Sequence, residues 1–170
     1  ISTADLSISD AEGDKILSQV GLEYSYIALG GVIGQQSSTY FAASNNYIYN
    51  RGTISSSSIT ESNYVGSICG KNSWLKGGGM EEGSIQNAYY LEVDGLKAVG
   101  AEEGSNVSTT AKDNSAFESG EVAWLLHKAG GNFGQGLDAD GDYTNGESSP
   151  VLLAFDENNG KEVYKLDLSI

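Results

Sequence analysis

Two successive stretches of this chain carry the same pattern, and this repeat constrains the fold more than any other feature. The segment 30–34 (Gly-Gly-Val-Ile-Gly) is echoed about 36 residues later by 66–70 (Gly-Ser-Ile-Cys-Gly). The segment 46–49 (Asn-Tyr-Ile-Tyr) is echoed about 41 residues later by 87–90 (Asn-Ala-Tyr-Tyr). Each unit has too few apolar residues to bury a face alone, so we expect the two units to stack.

The composition favours many short strands joined by tight turns. Glycine occurs 23 times in 170 residues and proline once, so the signature of a Gly/Pro-rich disordered chain is absent. Ten tyrosines against four phenylalanines favour half-exposed strand faces. This length suits one domain. We divide it into a lead-in (1–26), two β repeats (27–92) and a helix-plus-hairpin cap (93–170).

The charge excludes several classes of partner. Nine Lys and Arg residues against 23 Asp and Glu residues give a net charge of −14. Nucleic acid requires basic side chains that replace phosphate counterions, and anionic membrane surfaces repel an acidic protein. No apolar run is long enough to span a bilayer. We therefore expect no nucleic acid partner and no membrane insertion. The acidity is compatible with calcium, with uncharged ligands such as glycans, or with a plain solvated surface.

One helix is predicted at 117–128. Its apolar side chains recur at i, i+3 and i+4, and they are Val122, Leu125 and Leu126. Ser115 and Ser119 are alternative N-caps, and Gly130 follows the last turn as a C-terminal stop. Packed over the open end of a stack, such a helix would cover exposed strand edges.

The chain ends in a predicted β-hairpin. Two apolar runs, 151–155 and 163–168, flank an acidic turn that contains Asn159-Gly160, and Asn-Gly is a strong hairpin signal. The predicted fold class is therefore mainly β. More specifically, we expect a short, irregular right-handed β-solenoid of glycine-punctuated repeats, closed by one α-helix and a C-terminal β-hairpin.

The repeated segments resemble a known family. Gly-Gly-Val-Ile-Gly (30–34), followed by Asn-Tyr-Ile-Tyr-Asn-Arg-Gly-Thr-Ile (46–54), is similar to the GLUG-type repeats of bacterial surface proteins. Segments 64–70 and 85–91 look like a second copy, which departs from the pattern by a long insertion at 74–83.

The remaining segments resemble a recurrent tail of large secreted proteins of gut Firmicutes. The matching segments are Tyr-Tyr-Leu (89–91), Phe-x-Ser-Gly-Glu-Val-Ala-Trp-Leu-Leu (117–126), Phe-Gly-Gln (133–135) and Ser-Pro-Val-Leu (149–152). In such proteins this tail commonly closes a repeat array.

Both resemblances imply a non-catalytic, adhesin-like module located outside the cell, at the cell surface or in the cell wall. Its implied partners are host-cell or glycan ligands and other repeats of the same full-length protein. The chain starts at Ile1 without a signal peptide, as a trimmed mature protein or an excised domain would. The alternatives are a calcium-stabilised accessory domain of a larger secreted enzyme and a structural spacer.

The residues themselves do not favour catalysis. The single histidine, His127, lies at the predicted helix end, where a structural role is expected. No zinc motif, nucleophile elbow or P-loop is present in the sequence. Paired carboxylates for glycoside hydrolysis remain open, since acidic residues are abundant. The single cysteine, Cys69, cannot form an internal disulfide and is predicted to be a small buried core residue.

Aromatic residues are the candidate ligand-binding groups. Tyrosine and tryptophan rings stack on sugars, while Asn and Gln side chains read hydroxyl groups. The candidates are Trp74, Tyr47, Tyr49 and Tyr89. The alternative is that these rings only stack along the strands of the fold.

An acidic, glycine-containing segment is the candidate metal site. Calcium takes several oxygen ligands from a flexible loop, and the candidate ligands are Asp138, Asp140, Asp142, Asn145 and Glu147. An EF-hand is excluded, because Tyr143 and Ser149 occupy the positions that require Gly and Glu. The alternative is an acidic, solvated turn.

Overall fold

The computed structural model describes residues 6–8, 27–38, 44–56, 63–74, 83–102, 106–137 and 147–152. Within these ranges the protein is mainly β with parallel sheets, as predicted. The strands are β1 (Leu6–Ile8), β2 (Ile27–Gly30), β3 (Ile33–Ser38), β4 (Ser44–Asn50), β5 (Ile54–Ser56), β6 (Asn63–Gly66), β7 (Cys69–Trp74), β8 (Ser84–Leu91), β9 (Val99–Glu102), β10 (Val107–Lys112), β11 (Phe133–Gly134) and β12 (Val151–Leu152). The helices are α1 (Asn114–Glu118) and α2 (Glu121–Lys128).

The two glycine-bracketed segments stack in parallel, as the repeat predicts. Strand β2 pairs with β6, and Gly30 lies opposite Gly66. Strand β3 pairs with β7, and Ile33 lies opposite Cys69. Both pairs are 36 residues apart, which is the spacing of the repeat in the sequence. The segments therefore form two rungs of one ladder.

Glycine is required where the rungs approach most closely. A Cβ at Gly70 would lie 2.5 Å from the backbone nitrogen of Leu29 and 2.6 Å from the carbonyl oxygen of Gly34. Both atoms belong to the backbone of the preceding rung, so they cannot turn away as a flexible side chain can. The glycines that define the repeat in the sequence are thus the residues that allow it to stack.

The register of the second repeated segment differs from our prediction by one residue. The sequence repeat aligns Asn46 with Asn87, an offset of about 41 residues. The structure pairs Ile48 with Ala88 and Tyr49 with Tyr89, an offset of 40 residues. A shift of one residue would exchange the two faces of a strand. Ile48 and Ala88 are both buried, so core packing rather than residue identity sets the register.

A third rung follows the two predicted repeats. Strand β9 pairs with β7 in parallel, with Val99 opposite Cys69, and the N–H of Ile68 donates to the carbonyl oxygen of Ala98 at 2.9 Å. The stack therefore includes β9, which follows the two repeats at 27–92. Only Gly100 remains of the bracketing glycines in this rung, so the sequence signal is too weak to show it.

All the rungs contribute to one small core. Its buried members touch each other across the rungs, and they are Ile48, Ile68, Cys69, Ile85, Ala88, Ala98 and Val99. Cys69 is fully buried, which confirms the prediction of a core role. Most of these side chains are small or medium in size, as short, closely spaced strands require.

The remaining pairings complete the described sheets. Strand β1 pairs with β5 in parallel, with Leu6 opposite Ile54, so part of the lead-in also joins a ladder. Strands β10, β8 and β4 form a three-stranded sheet in that order. Strand β11 pairs with β12 in an antiparallel ladder, with Gly134 opposite Val151.

The predicted single helix is two helices. Gly120 lies between them with φ 82°, a left-handed conformation that interrupts the helical hydrogen-bond pattern. The N-cap of the first helix is Asp113, whose carboxylate accepts the N–H of Ala116 at 2.8 Å, and not Ser115 or Ser119. The predicted stop after α2 is confirmed, because Gly130 has φ 103° and donates its N–H to His127.

The chain divides into two compact units, Ile1–Ala111 and Lys112–Ile170, and the expectation of one domain stays a prediction. The first unit holds the stacked rungs and the second holds both helices. Closure of the stack by the helix stays a prediction. Of the expected hairpin, 151–155 with 163–168, residues 151–152 are described as β12 and the rest lies outside the described residues. Neither described helix has the length and hydrophobicity that crossing a membrane requires.

Candidate functional site

The sheet β4–β8–β10 has an uncharged polar face. These three strands contain one charged residue, Lys112, in a chain that carries 23 acidic and nine basic side chains. One set of polar side chains on these strands, and in the residue before β10, is exposed or half-buried. They are Ser44, Asn46, Gln86, Asn87, Tyr89, Asn106, Ser108 and Thr110. We call this the polar face.

Four amides connect the strands across the polar face. Nδ2 of Asn87 donates to Oδ1 of Asn46 at 2.8 Å, which joins β8 to β4. Nε2 of Gln86 donates to Oδ1 of Asn106 at 2.9 Å, which joins β8 to the residue before β10. We call these four residues the amide row. Carboxamides carry both donors and acceptors, so such a row can bind hydroxyl groups in either direction.

The structure separates the four predicted ligand-binding aromatics. Tyr89 is half-buried on β8, the strand of Gln86 and Asn87, and Tyr47 is half-buried on β4. Tyr49 lies opposite Tyr89 but is only 2% exposed, so its ring cannot stack on a ligand and we correct that assignment. Trp74 lies opposite Ser38 in the β3–β7–β9 sheet, so strand pairing does not bring it to the polar face.

The amide of Asn50 is buried, and it forms hydrogen bonds with the backbone. Nδ2 of Asn50 donates to the carbonyl oxygen of Ser67 at 2.8 Å, and its Oδ1 accepts the N–H of Gly52 at 2.9 Å. Asn50 is 1% exposed. Both ends of this amide are occupied by backbone groups, so its role is to fix one rung to the next.

The described residues contain one member of the predicted calcium site. Glu147 accepts the N–H of Gly136 through Oε2 at 2.8 Å, and its own N–H donates to the carbonyl oxygen of Gly136 at 2.7 Å. These two residues flank the acidic segment. The other candidate ligands, Asp138, Asp140, Asp142 and Asn145, lie outside the described residues. Calcium binding therefore stays a prediction.

A buried glutamine supports Glu147. Nε2 of Gln135 donates to the carbonyl oxygen of Glu147 at 2.8 Å and to that of Phe117 at 2.7 Å. Gln135 is 1% exposed, so this amide ties the residue after the acidic segment to the end of α1 in a buried environment. The sequence resemblance includes Gln135 but assigns it no role.

The single cysteine and the single histidine of the chain both lie within the described residues. Burial raises the pKa of the Cys69 thiol above its ordinary value, despite hydrogen bonds with the backbone of Gln36 and Lys71 that lower it. A raised pKa disfavours the reactive thiolate. His127 is exposed in the last turn of α2, at the helix end where we predicted it.

Sequence reasoning found the type of residue but not the site. Asn and Gln were expected to read hydroxyl groups, yet only aromatic residues were selected, and the amide row was missed. The signal is present in the sequence as amides at 46, 86, 87 and 106 within uncharged segments. It becomes visible only once the register places these positions on adjacent strands. In comparisons with known proteins, no family model, no curated protein and no solved structure matches this chain.

Proposed function

We propose that this chain is a non-catalytic, extracellular module of a bacterial surface or secreted protein, and that its polar face binds neutral glycans. The observation that carries this proposal is the amide row, which joins β4 to β8 and β8 to the residue before β10 in a sheet that has almost no charge. Host and dietary glycans are the candidate ligands, and the cell surface or cell wall is the proposed location.

The chemistry of the polar face suits a sugar better than the other ligand classes. Sugar hydroxyls both donate and accept hydrogen bonds, as carboxamides do. Tyr89 is half-buried on β8, the strand that carries Gln86 and Asn87, and an aromatic ring can stack on a pyranose face. A net charge of −14 repels polyanions over the whole molecule. Neutral oligosaccharides therefore meet no electrostatic barrier, while nucleic acid and anionic lipid do.

The proposed architecture is a short right-handed β-solenoid. It is supported by three rungs in parallel register and by glycines at the contacts between rungs. In a solenoid each repeat contacts mainly its neighbours, so further repeats of the full-length protein would extend the same ladders. The resemblance to GLUG-type repeats supports the same architecture and the surface setting.

Glycan binding is tested with the whole chain on an array of neutral and charged oligosaccharides, followed by calorimetry on the best ligand. We expect Tyr89→Ala and Asn106→Ala each to weaken binding about tenfold. Tyr64→Ala is the matched control, because Tyr64 is a half-buried tyrosine of another sheet. Equal losses in the control, or no neutral ligand at all, would contradict the proposal. Release of reducing ends or of unsaturated sugars would contradict its non-catalytic part.

A calcium-stabilised accessory or spacer domain is the second candidate. It is favoured by the paired hydrogen bonds between Gly136 and Glu147, which hold together the two residues that flank the acidic segment. A ligand that binds the folded state raises the melting temperature by linkage. We therefore expect calcium to raise the melting temperature and EDTA to reverse the effect, with magnesium as the control cation. A melting temperature that does not change with calcium would eliminate this candidate.

A further inference from the structure

The backbone fixes which end of the Asn46 amide faces outward. The N–H of Tyr47 donates to Oδ1 of Asn46 at 3.0 Å. A backbone N–H can only donate, so the atom it meets must be the amide oxygen. Nδ2 of Asn46 is then the remaining polar atom, and Asn46 is exposed. Among the residues that the structure describes, this Nδ2 has no hydrogen-bond partner.

The same reasoning orients the two amides of β8. Nδ2 of Asn87 donates to Oδ1 of Asn46, so Oδ1 of Asn87 is the atom left over. Nε2 of Gln86 donates to the backbone carbonyl oxygen of Asn106 at 3.2 Å, and a carbonyl can only accept. Oε1 of Gln86 is therefore left over as well. Neither oxygen has a hydrogen-bond partner within the described ranges.

We propose that this fixed polarity makes Asn46, Gln86 and Asn87 the specificity-determining residues of the polar face. The face presents a donor on β4 and two acceptors on β8. A hydroxyl group satisfies both kinds of atom, because it donates and accepts. A carboxylate has no hydrogen for the two acceptors, and an ammonium group has no lone pair for the donor. The face selects neutral sugars over uronic acids and amino sugars. This inference rests on the proposed glycan binding.

One substitution, Asn46→Asp, changes the polarity of the polar face and keeps the hydrogen bonds of the amide row. Asn46→Asp keeps an oxygen for the N–H of Tyr47 and for Nδ2 of Asn87, and it changes the side-chain volume very little. It replaces the outward donor by an outward acceptor with a negative charge. The polar face then carries three acceptors, so its preference should move from hydroxyl to ammonium groups. Asn132→Asp, an exposed asparagine of the second unit, adds the same charge elsewhere in the chain.

The experiment measures dissociation constants of the whole chain for three oligosaccharide sets: neutral hexoses, the corresponding uronic acids, and the corresponding amino sugars. For the wild type we expect neutral ligands to bind at least about tenfold more tightly than either charged set. Asn46→Asp should weaken neutral binding about tenfold and raise amino-sugar binding, with an unchanged melting temperature. Asn132→Asp should leave the neutral preference in place.

The possible outcomes distinguish this inference from the function on which it rests. If neutral and charged sets bind equally well, or if Asn46→Asp does not change the preference, the selectivity is overturned while glycan binding stands. If Asn132→Asp shifts the preference as strongly as Asn46→Asp, the cause is net charge, and the role of the amide row is overturned. If no set binds, both the inference and the proposed function are overturned.

Discussion

Tyr47 and Asn87 occupy equivalent positions on paired strands, and both have a left-handed backbone, with φ 58° and 49°. They lie between the pair Asn46–Gln86 and the pair Ile48–Ala88. In a regular strand, residues i and i+2 share a face. Here Asn46 is exposed while Ile48 is 7% exposed, so the left-handed residue reverses the alternation. This bend is what puts the amides outside and the apolar side chains inside on the same two strands.

The first prediction tests this bend at Asn87. A non-glycine residue in the left-handed region costs about 1–2 kcal/mol, and asparagine tolerates it better than alanine. Asn87→Gly and Asn87→Ala both remove the hydrogen bond to Asn46, so their difference isolates the backbone. We expect the alanine variant to be less stable than the glycine variant by about 1 kcal/mol, measured by urea unfolding.

The neighbouring position provides the control for this prediction. Ala88 is buried in the core and 1% exposed, in the part of β8 that follows the bend. Ala88→Gly should therefore destabilise the protein. At position 88 alanine is expected to be the more stable residue, whereas at position 87 glycine is. If Asn87→Ala were as stable as Asn87→Gly, the left-handed bend would not be a requirement of the fold.

The second prediction concerns the close contact between rungs at Gly70. A Cβ there meets backbone atoms of Leu29 and Gly34 at 2.5 and 2.6 Å, so Gly70→Ala must push two rungs apart. We expect a loss of about 3 kcal/mol, at the upper end of the range for overpacking. Gly34→Ala is the matched control, because its Cβ would meet only the carbonyl oxygen of Ala28, at 3.4 Å. Similar losses in both variants would show that crowding between rungs is not the cause.

The sequence predicted the glycine-dependent part of the fold and missed the parts that depend on backbone conformation. The pairing of Gly30 with Gly66 was predictable, because close approach of two backbones demands glycine at recurring positions. The register at Ile48 and Ala88 was not, because the left-handed bend beside them has no sequence signal at Tyr47, a residue that rarely adopts positive φ. Gly120 was read as part of a helix because a capping signal at Ser115 lies before it, although the apolar stripe begins only at Val122.

The composition of the polar face could likewise be predicted from the sequence, but its contacts could not. Uncharged Asn- and Tyr-rich segments are visible in the sequence. Which side chains meet depends on register and on the bend, so Tyr49 was chosen although it is buried, and Asn46 was passed over although it is exposed. Hydrogen-bond polarity at Asn46 comes from a backbone contact, the N–H of Tyr47, which no residue pattern encodes.

The third prediction separates the buried asparagine of β4 from the exposed one. Asn50→Ala leaves the carbonyl oxygen of Ser67 and the N–H of Gly52 without their side-chain partner in a buried place. Each unpaired buried group costs about 1–3 kcal/mol, so we expect a loss of about 3 kcal/mol in urea unfolding. Asn46→Ala in the same strand should cost less than about 1 kcal/mol, because water replaces its contacts. Equal losses would show that burial of the amide does not matter.

The fourth prediction uses Cys69 as a probe of the core. The thiol is buried, its Sγ donates to the carbonyl oxygen of Lys71 at 3.2 Å, and burial raises its pKa. Burial shields the sulfur from reagents, and the raised pKa disfavours the thiolate, which is the reactive species. We expect no reaction with an aromatic disulfide reagent at neutral pH in the folded protein, and reaction of one thiol per chain after unfolding in urea. Fast reaction without denaturant would contradict the burial of this rung.

The last prediction concerns the acid sensitivity of helix α1. The N–H of Ala116 and the hydroxyl of Ser115 both donate to the Asp113 carboxylate at 2.8 Å, and these bonds lower its pKa below the ordinary value of 3.8. A depressed pKa in the folded state means that the contribution of Asp113 to stability is complete above the ordinary value. It is lost as the pH falls through the depressed value. We expect the N–H of Ala116 to lose protection from hydrogen exchange across that acidic window.

Asp113→Asn supplies the comparison that makes this assignment specific. The asparagine oxygen still caps the helix, but it does not titrate over the acidic range, so protection of Ala116 should become insensitive to pH there. Asp113→Ala removes the acceptor and should lower the protection of Ala116 at every pH. If the wild type and Asp113→Asn lost protection over the same pH range, the acid sensitivity would come from another carboxylate, and Asp113 would not control the start of α1.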